Sequence, residues 1–135
     1  MTTKEAVKFP DVLGRMSTRH MIFAVLKANP SGRSFNDYAL LAALEEGIRD
    51  HPKLRRLLIP RCDGSSPDHP NSLETALSFI GMSYIFLTDS SLQYEKLTDF
   101  GIDHINKELR RYGPGLMRKL KPFTDAIWEA YRRYK

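Results

Sequence analysis

The chain has 135 residues and a net charge of +5, with 41% hydrophobic and 27% charged residues. This length and composition are typical of one globular domain and exclude a fibrous or wholly disordered chain. The single cysteine, Cys62, excludes an internal disulfide framework and favours a reducing compartment. The longest strongly apolar stretch, Phe79 to Leu87, is about half of the ~20 residues that a membrane helix needs. We therefore expect a soluble cytoplasmic or other intracellular protein without a membrane partner.

The charge is unevenly distributed along the chain. The segment Arg49–Arg61 contains five basic residues and one acid, and Lys107–Lys135 contains nine basic residues and three acids. The stretch 71–106 between them carries one base, Lys96, and five acids. Basic patches attract anionic partners over about a Debye length, roughly 8–10 Å at physiological salt. The two basic segments are therefore the main candidates for a binding surface.

The N-terminal part of the chain predicts an arm followed by a helix. Residues 1–16 show no clear period and are expected to form the arm, and residues 17–135 form the predicted helical domain. Ser17 is a candidate N-cap, and the apolar residues after it recur at helical spacing. The break at Asn29–Pro30 ends this helix, because a residue before proline avoids the helical conformation.

A second helix is predicted from Ser34 or Asn36 to the break at His51–Pro52. A short amphipathic run follows at 54–58, and a helix-turn-helix interpretation of residues 34–59 remains open. Residues 60–71 are rich in proline, glycine, serine and aspartate, which are turn residues. This stretch is therefore predicted to be an exposed connection within one domain.

The middle of the chain contains the most apolar predicted helix. Residues 71–74 resemble a capping box, and residues 75–88 contain no charged side chain. A helix that is apolar nearly all round is buried, which predicts a central buried helix at about 72–88. The aromatic and branched residues at 83–87 leave a strand as the alternative for that end.

The C-terminal part predicts two further helices. One begins after the turn at 89–91 and ends at Gly113–Gly115, because glycine just beyond a helix and proline after it stop the helix. A short piece around Leu116 follows, and Pro122 is expected to open the last helix. The fold class is therefore all-α: a single-domain bundle of five main helices and one or two short helices, packed around the helix at 72–88.

The chain contains few residues with the spacing that reaction centres need. Cys62 and His69 lie in one predicted loop, but no CxxC or HxxxH spacing accompanies them, so neither a zinc site nor a Cys–His pair is predicted. His104 has a residue type that can bind haem iron, but a lone histidine beside a carboxylate is more often a partly buried surface residue. His20 is predicted to be a surface residue. We predict no catalytic residue, metal or cofactor.

The two basic segments provide the candidate binding residues. Arginine contacts phosphate and carboxylate groups bidentately, and the tyrosines among the C-terminal basic residues can stack on bases. The candidate partner-binding or nucleic-acid-binding residues are Arg49, Lys53, Arg55, Arg56, Arg61, Arg111, Arg118, Lys119, Lys121, Arg132 and Arg133.

These observations predict a non-enzymatic helical interaction module, such as an adaptor, a regulator or an assembly subunit. Its expected partner is a protein with an acidic or amphipathic surface, because the distinctive surface feature of the sequence is cationic. The alternative is a nucleic-acid-binding protein that uses the same basic segments. A homodimer is compatible with the sequence, but nothing in the sequence requires it.

Overall fold

The protein is represented by a computed structural model that describes residues 12–49, 73–89 and 94–134. Helices account for 73% of these residues, which confirms the mostly helical class, and a small sheet accompanies them. The predicted run at 54–58 and the loop at 60–71 lie outside the described residues. In chain order the elements are α1 (Val12–Arg15), α2 (Thr18–Lys27), β1 (Ser34–Phe35), α3 (Asp37–Arg49), α4 (Leu73–Met82), β2 (Phe86–Asp89), β3 (Tyr94–Leu97), α5 (Asp99–Leu109), a 3-10 turn (Arg110–Tyr112) and α6 (Leu116–Tyr134).

Helix α2 lies at the centre of the described structure. Every side chain from His20 to Leu26 is buried, and the helix contacts α4, α5 and α6. The Ser17 side chain caps its first turn by accepting a hydrogen bond from the backbone N–H of His20 at 3.1 Å. The centre of the packing is therefore α2 and not the helix predicted at 72–88.

The predicted helix at 72–88 is shorter than expected. Helix α4 ends at Met82, and the chain turns at Tyr84, whose φ of 63° is left-handed, before it enters strand β2. The ring of Phe86 folds back onto Gly81, where an added Cβ would lie 3.0 Å from the ring. Met82 is 73% exposed and Tyr84 70% exposed. Residues 82–84 of the charge-free run therefore face solvent while Ile85 and Phe86 are buried, and the strand alternative is correct for Phe86 and Leu87.

The three strands form an antiparallel sheet in the order β1-β3-β2. Phe86 pairs with Leu97 at one end of the β2–β3 hairpin, and Asp89 pairs with Tyr94 at the other. The helix predicted to begin after residue 91 therefore begins only at α5. Alternation along β3 favours the strand, because Glu95 and Leu97 are buried on one face while Lys96 between them is exposed.

Helix α6 is one continuous helix that packs along α3 and against α2. The prediction that Pro122 opens the last helix is wrong, because Pro122 lies inside α6. Proline removes the N–H that would bond the carbonyl of residue 118, and it does so on the exposed side of the helix near its first turns. The buried Trp128 indole donates a hydrogen bond to the Val25 carbonyl at 2.8 Å, which ties α6 to α2.

The last residues of the predicted N-terminal arm are packed in the same core. Leu13 of α1 and Met16 after it are both buried there. The division of the chain at residue 17 stays a prediction. None of the described helices combines the length and hydropathy that a membrane span requires.

Candidate functional site

The structure describes seven of the eleven predicted binding residues. Lys53, Arg55, Arg56 and Arg61 lie outside the described residues. Arg49 is the last residue of α3 and is exposed. All six C-terminal candidates are exposed: Arg111 in the 3-10 turn, Arg118, Lys119 and Lys121 near the start of α6, and Arg132 and Arg133 in its last turn.

Two of the predicted binding residues make ion pairs within the molecule. Arg133 binds Glu46 of α3, whose other carboxylate oxygen accepts a hydrogen bond from the Tyr134 hydroxyl at 2.8 Å. Lys121 binds Asp125 one turn further along α6, with 3.1 Å between its Nζ and the carboxylate. Because these cations are neutralised locally, they are weaker candidates for binding an external anion than their neighbours.

Arg111, Arg118 and Lys119 lie where α5 gives way to α6, whereas Arg132 lies at the far end of α6. The connection Gly113–Gly115 is short because both glycines adopt a positive φ, 85° and 86°, which other residues rarely do. It brings the 3-10 turn and the start of α6 together. A groove of about 490 Å³ lies on one side of this connection, and three of its lining residues are Lys27, Arg110 and Arg118.

Two of the three groove cations are absent from the set predicted from sequence. Lys27 ends α2 and lies far along the chain from both basic segments, so only packing brings it to the groove. Arg110 belongs to the second basic segment, and its position just before a Gly-Pro-Gly connection is the sequence signal that could have selected it.

A second, polar groove of about 370 Å³ contains a hydrogen-bond network around His20. The prediction that His20 is a surface residue is wrong, because its side chain is buried between α2, α5 and the 3-10 turn. Its Nδ1 lies 2.6 Å from the Tyr112 hydroxyl oxygen, and its Nε2 lies 3.1 Å from Glu108 Oε1. A carboxylate only accepts, so Nε2 donates to Glu108, and a neutral His20 accepts from Tyr112. The sequence signal was the position of His20 directly before an unbroken apolar run.

Glu108 receives hydrogen bonds from two neighbouring residues of α2. Besides His20, the Arg19 guanidinium donates to the same Oε1 at 3.0 Å. The hydrogen bond from His20, helped by Arg19, holds the pKa of Glu108 below its usual 4.5. The ionised carboxylate therefore stabilises the folded state fully above about pH 4.5, and this contribution is lost as the pH falls through the lowered pKa.

We expect Glu108→Gln to lower the free energy of unfolding by about 1 kcal/mol at neutral pH, since it removes a charged acceptor from two donors. The difference from the unmodified protein should shrink as the pH falls well below 4.5. Urea denaturation at about pH 7 and about pH 3 measures it. Glu129→Gln, at an exposed site of α6, is the control and should show no such difference. A Glu108→Gln effect of equal size at both pH values would contradict the expectation.

A third groove, of about 650 Å³, lies between α3, α4 and the sheet. Tyr38 and Leu87 at its edge are exposed large hydrophobic residues, as is Met82. Asp37 and Glu95 are the acidic residues that line it. This surface is therefore apolar with an acidic character, in contrast to the basic groove.

Metal-ligating side chains are dispersed among the described residues. The described residues contain no group of three or more His, Cys, Asp or Glu side chains that could hold a metal ion. His104 lies between aromatic rings, 5.7 Å from the ring centre of Phe23 and 5.8 Å from that of Phe100. Cys62 and His69 lie outside the described residues. No protein-family model, curated protein or solved structure matches this chain.

Proposed function

We propose that this protein is a non-enzymatic binding protein that contacts double-stranded DNA through α4 and the β2–β3 hairpin. The observation that carries the proposal is the order of the elements, α2-β1-α3-α4-β2-β3, together with an antiparallel sheet in the order β1-β3-β2. This succession of three helices and a hairpin is the arrangement of winged helix-turn-helix modules. We infer DNA binding from this arrangement by analogy with other proteins of the same element order.

In helix-turn-helix modules the second helix of the pair lies in the major groove. In this chain α3 and α4 correspond to the pair, and the β2–β3 hairpin corresponds to the wing. The interpretation of residues 34–59 as the helix-turn-helix contained only α3 of this pair. The chain also departs from the usual pattern, because residues 50–72 separate α3 from α4 where a turn of about 3–4 residues is common.

Helix α4 has a short polar side chain on its outer side, which suits contacts to base edges, but it has no cation for contacts to phosphates. It packs inward through Leu73, Ala76, Leu77 and Ile80, and Ser78 is exposed on its outer side. A short hydroxyl side chain can hydrogen-bond to base edges without holding the backbone away from them. Because the sequence of α4 contains no Lys or Arg, its flanking segments have to supply the phosphate contacts. The basic segment Arg49–Arg61 precedes it in the sequence, separated from it by residues 62–72, and Lys96 is exposed on the hairpin.

We expect the protein to bind random-sequence duplex DNA at low salt, with an association constant that falls log-linearly with salt concentration. Reversing two charges with Arg55→Glu and Arg56→Glu should reduce the magnitude of the log–log slope by about 2, because about 0.9 counterions are released for each phosphate contact. Fluorescence anisotropy of a labelled duplex across a salt series measures both quantities.

Arg132→Glu is the matched control, because it reverses an exposed charge at the far end of α6. It should leave the slope nearly unchanged. Absence of duplex binding at low salt would overturn the proposal. An equal effect of Arg132→Glu would remove the specific role of the Arg49–Arg61 segment.

A second candidate function is an adaptor that docks a protein partner with an acidic or amphipathic surface. The exposed hydrophobic residues around the groove of about 650 Å³ favour it, because large exposed apolar patches often mark protein interaction sites. Saturable binding of an amphipathic helical peptide, without binding to duplex DNA, would favour this adaptor function. The homodimer stays a prediction that sedimentation equilibrium can test.

A further inference from the structure

Three cations line the groove beside Gly113–Gly115. Lys27, Arg110 and Arg118 come from three different elements, α2, the 3-10 turn and α6, and no Asp or Glu among the described residues lines the groove with them. None of the three makes an ion pair with any residue that the structure describes. Like charges along one groove repel one another, and an anion bound between them relieves that repulsion.

The helix dipole accounts for two of these cations but not for the third. Lys27 ends α2 and Arg110 follows the last residue of α5, and cations are favourable at the carbonyl end of a helix. Arg118 is the third residue of α6, where the partial positive charge of the helix opposes a cation. Its position therefore needs a different reason from the other two.

Two glycines on either side of Pro114 line one wall of the groove. A Cβ added at Gly115 would lie 3.5 Å from Nη2 of Arg118, so the guanidinium of Arg118 lies beside the backbone of Gly115. Positive φ at Gly113 and Gly115 disfavours larger residues at these two positions.

The remaining lining of the groove provides one amide and several apolar side chains. Asn106 supplies the amide, and the buried Leu109 and Leu116, with the partly buried Met117, supply the apolar surface. A volume of about 490 Å³ falls within the range of about 300–1,000 Å³ that is usual for small-ligand sites. A small organic phosphate supplies both a phosphate for the cations and an apolar group for this surface.

We propose that this groove binds a small organic phosphate, with the phosphate among Lys27, Arg110 and Arg118 and the apolar group against Leu109 and Leu116. Arginine binds phosphate bidentately and with directional hydrogen bonds, and lysine adds a point charge. The apolar surface makes the ester preferable to inorganic phosphate. The inference is independent of DNA binding by α4, because it uses a different face of the molecule and different residues.

Phenyl phosphate is a suitable probe, because it combines a phosphate with one apolar ring. Its titration into the full chain, followed by ¹H–¹⁵N NMR, should give saturable shifts of the Gly113 and Gly115 amides with a dissociation constant at or below about 1 mM. Inorganic phosphate should bind more weakly, and phenol, which lacks the phosphate, should give no saturable shift.

Arg118→Gln should weaken phenyl phosphate binding by about tenfold, the change expected when about 1.4 kcal/mol of binding energy is lost. Lys119→Gln is the matched control, because Lys119 is an exposed neighbour that does not line the groove. Lys27→Gln is the second variant, at a site remote in sequence, and should weaken binding in the same direction.

Three outcomes would overturn the inference. The first is the absence of saturable shifts at Gly113 and Gly115, and the second is an equal effect of Arg118→Gln and Lys119→Gln, which indicates only general attraction of anions. The third is binding of inorganic phosphate as tight as that of phenyl phosphate, which removes the role of the apolar surface. Duplex DNA titrations are measured separately, so failure of either proposal leaves the other testable.

Discussion

Gly101→Ala is expected to lower the free energy of unfolding by about 3 kcal/mol or more, although alanine is normally the better helix residue. Gly101 lies in the first turn of α5, directly against the backbone of Ile85 at the entrance to β2. A Cβ there would overlap the Ile85 carbonyl oxygen and lie 2.8 Å from its carbon. That oxygen accepts the backbone N–H of Thr98 at 3.0 Å, so moving it disturbs the junction of the sheet and α5.

Two other glycines provide the comparison for Gly101→Ala. At Gly47 an added Cβ would overlap only the Cδ1 end of the Ile127 side chain, which can rotate away, so Gly47→Ala should cost much less. At Gly14 nothing lies within 4 Å, so Gly14→Ala in α1 should be neutral or stabilising by up to about 1 kcal/mol. Urea denaturation of the three variants checks the order. Equal effects at Gly101 and Gly47 would contradict the close backbone approach.

Trp128→Ala is expected to cost about 3–5 kcal/mol of unfolding free energy, the range usual for removing a buried aromatic side chain. Trp128 is buried, packs edge-on against Tyr131 at 4.9 Å between ring centres, and bonds the Val25 carbonyl. Trp128→Phe keeps most of the apolar volume and loses the indole donor. It should cost only about 1–2 kcal/mol, because the Val25 carbonyl still accepts the N–H of Ala28 at 3.2 Å.

Denaturation followed by circular dichroism measures the two Trp128 variants, because both remove the only tryptophan and its fluorescence. Phe100→Ala, at a 58% exposed aromatic position, is the control and should cost less than about 1 kcal/mol. If Trp128→Phe proved as costly as Trp128→Ala, the hydrogen bond to α2 would outweigh the packing of the ring.

The helical class could be predicted because the segments with the clearest helical spacing of apolar residues are also the helices whose side chains are best packed in the core. Ser17 before an apolar run predicts α2, and the structure confirms that its side chain caps the helix. The pattern does not reveal that α2 is the central helix. The burial of α2 on several sides depends on its tertiary contacts with α4, α5 and α6. The sequence of α2 alone does not predict these contacts.

The sheet was missed for a physical reason that is visible in residues 83–97. Aromatic and branched side chains with no charge suit a buried helix or a strand equally well when the run is short. The deciding features are tertiary: Phe86 packing on Gly81, and Thr98 donating its hydroxyl hydrogen bond to the Tyr84 carbonyl at 2.8 Å. Thr98 also accepts from the Gly101 N–H and so starts α5 after the strand and not before it.

The candidate binding surface could be predicted only in part. Sequence counts identified Arg118 as basic, and the structure describes it as exposed beside the groove. The same counts could not separate Arg118 from Arg133, because the partner of Arg133 is Glu46 on a different helix. They also could not include Lys27, whose neighbours in the groove are set by the packing of α2 against α5.

The enclosure of α2 has a consequence for dissecting the molecule. Its side chains are covered both by the elements proposed to contact DNA and by α5 and α6, through contacts such as Trp128 to Val25 and His104 to Phe23. A fragment that ended at Leu97 would lack α5 and α6, and the side of α2 that these helices cover would be exposed to solvent. The C-terminal helices therefore complete the packing of the part that is proposed to contact DNA, and we expect a fragment without them not to fold on its own.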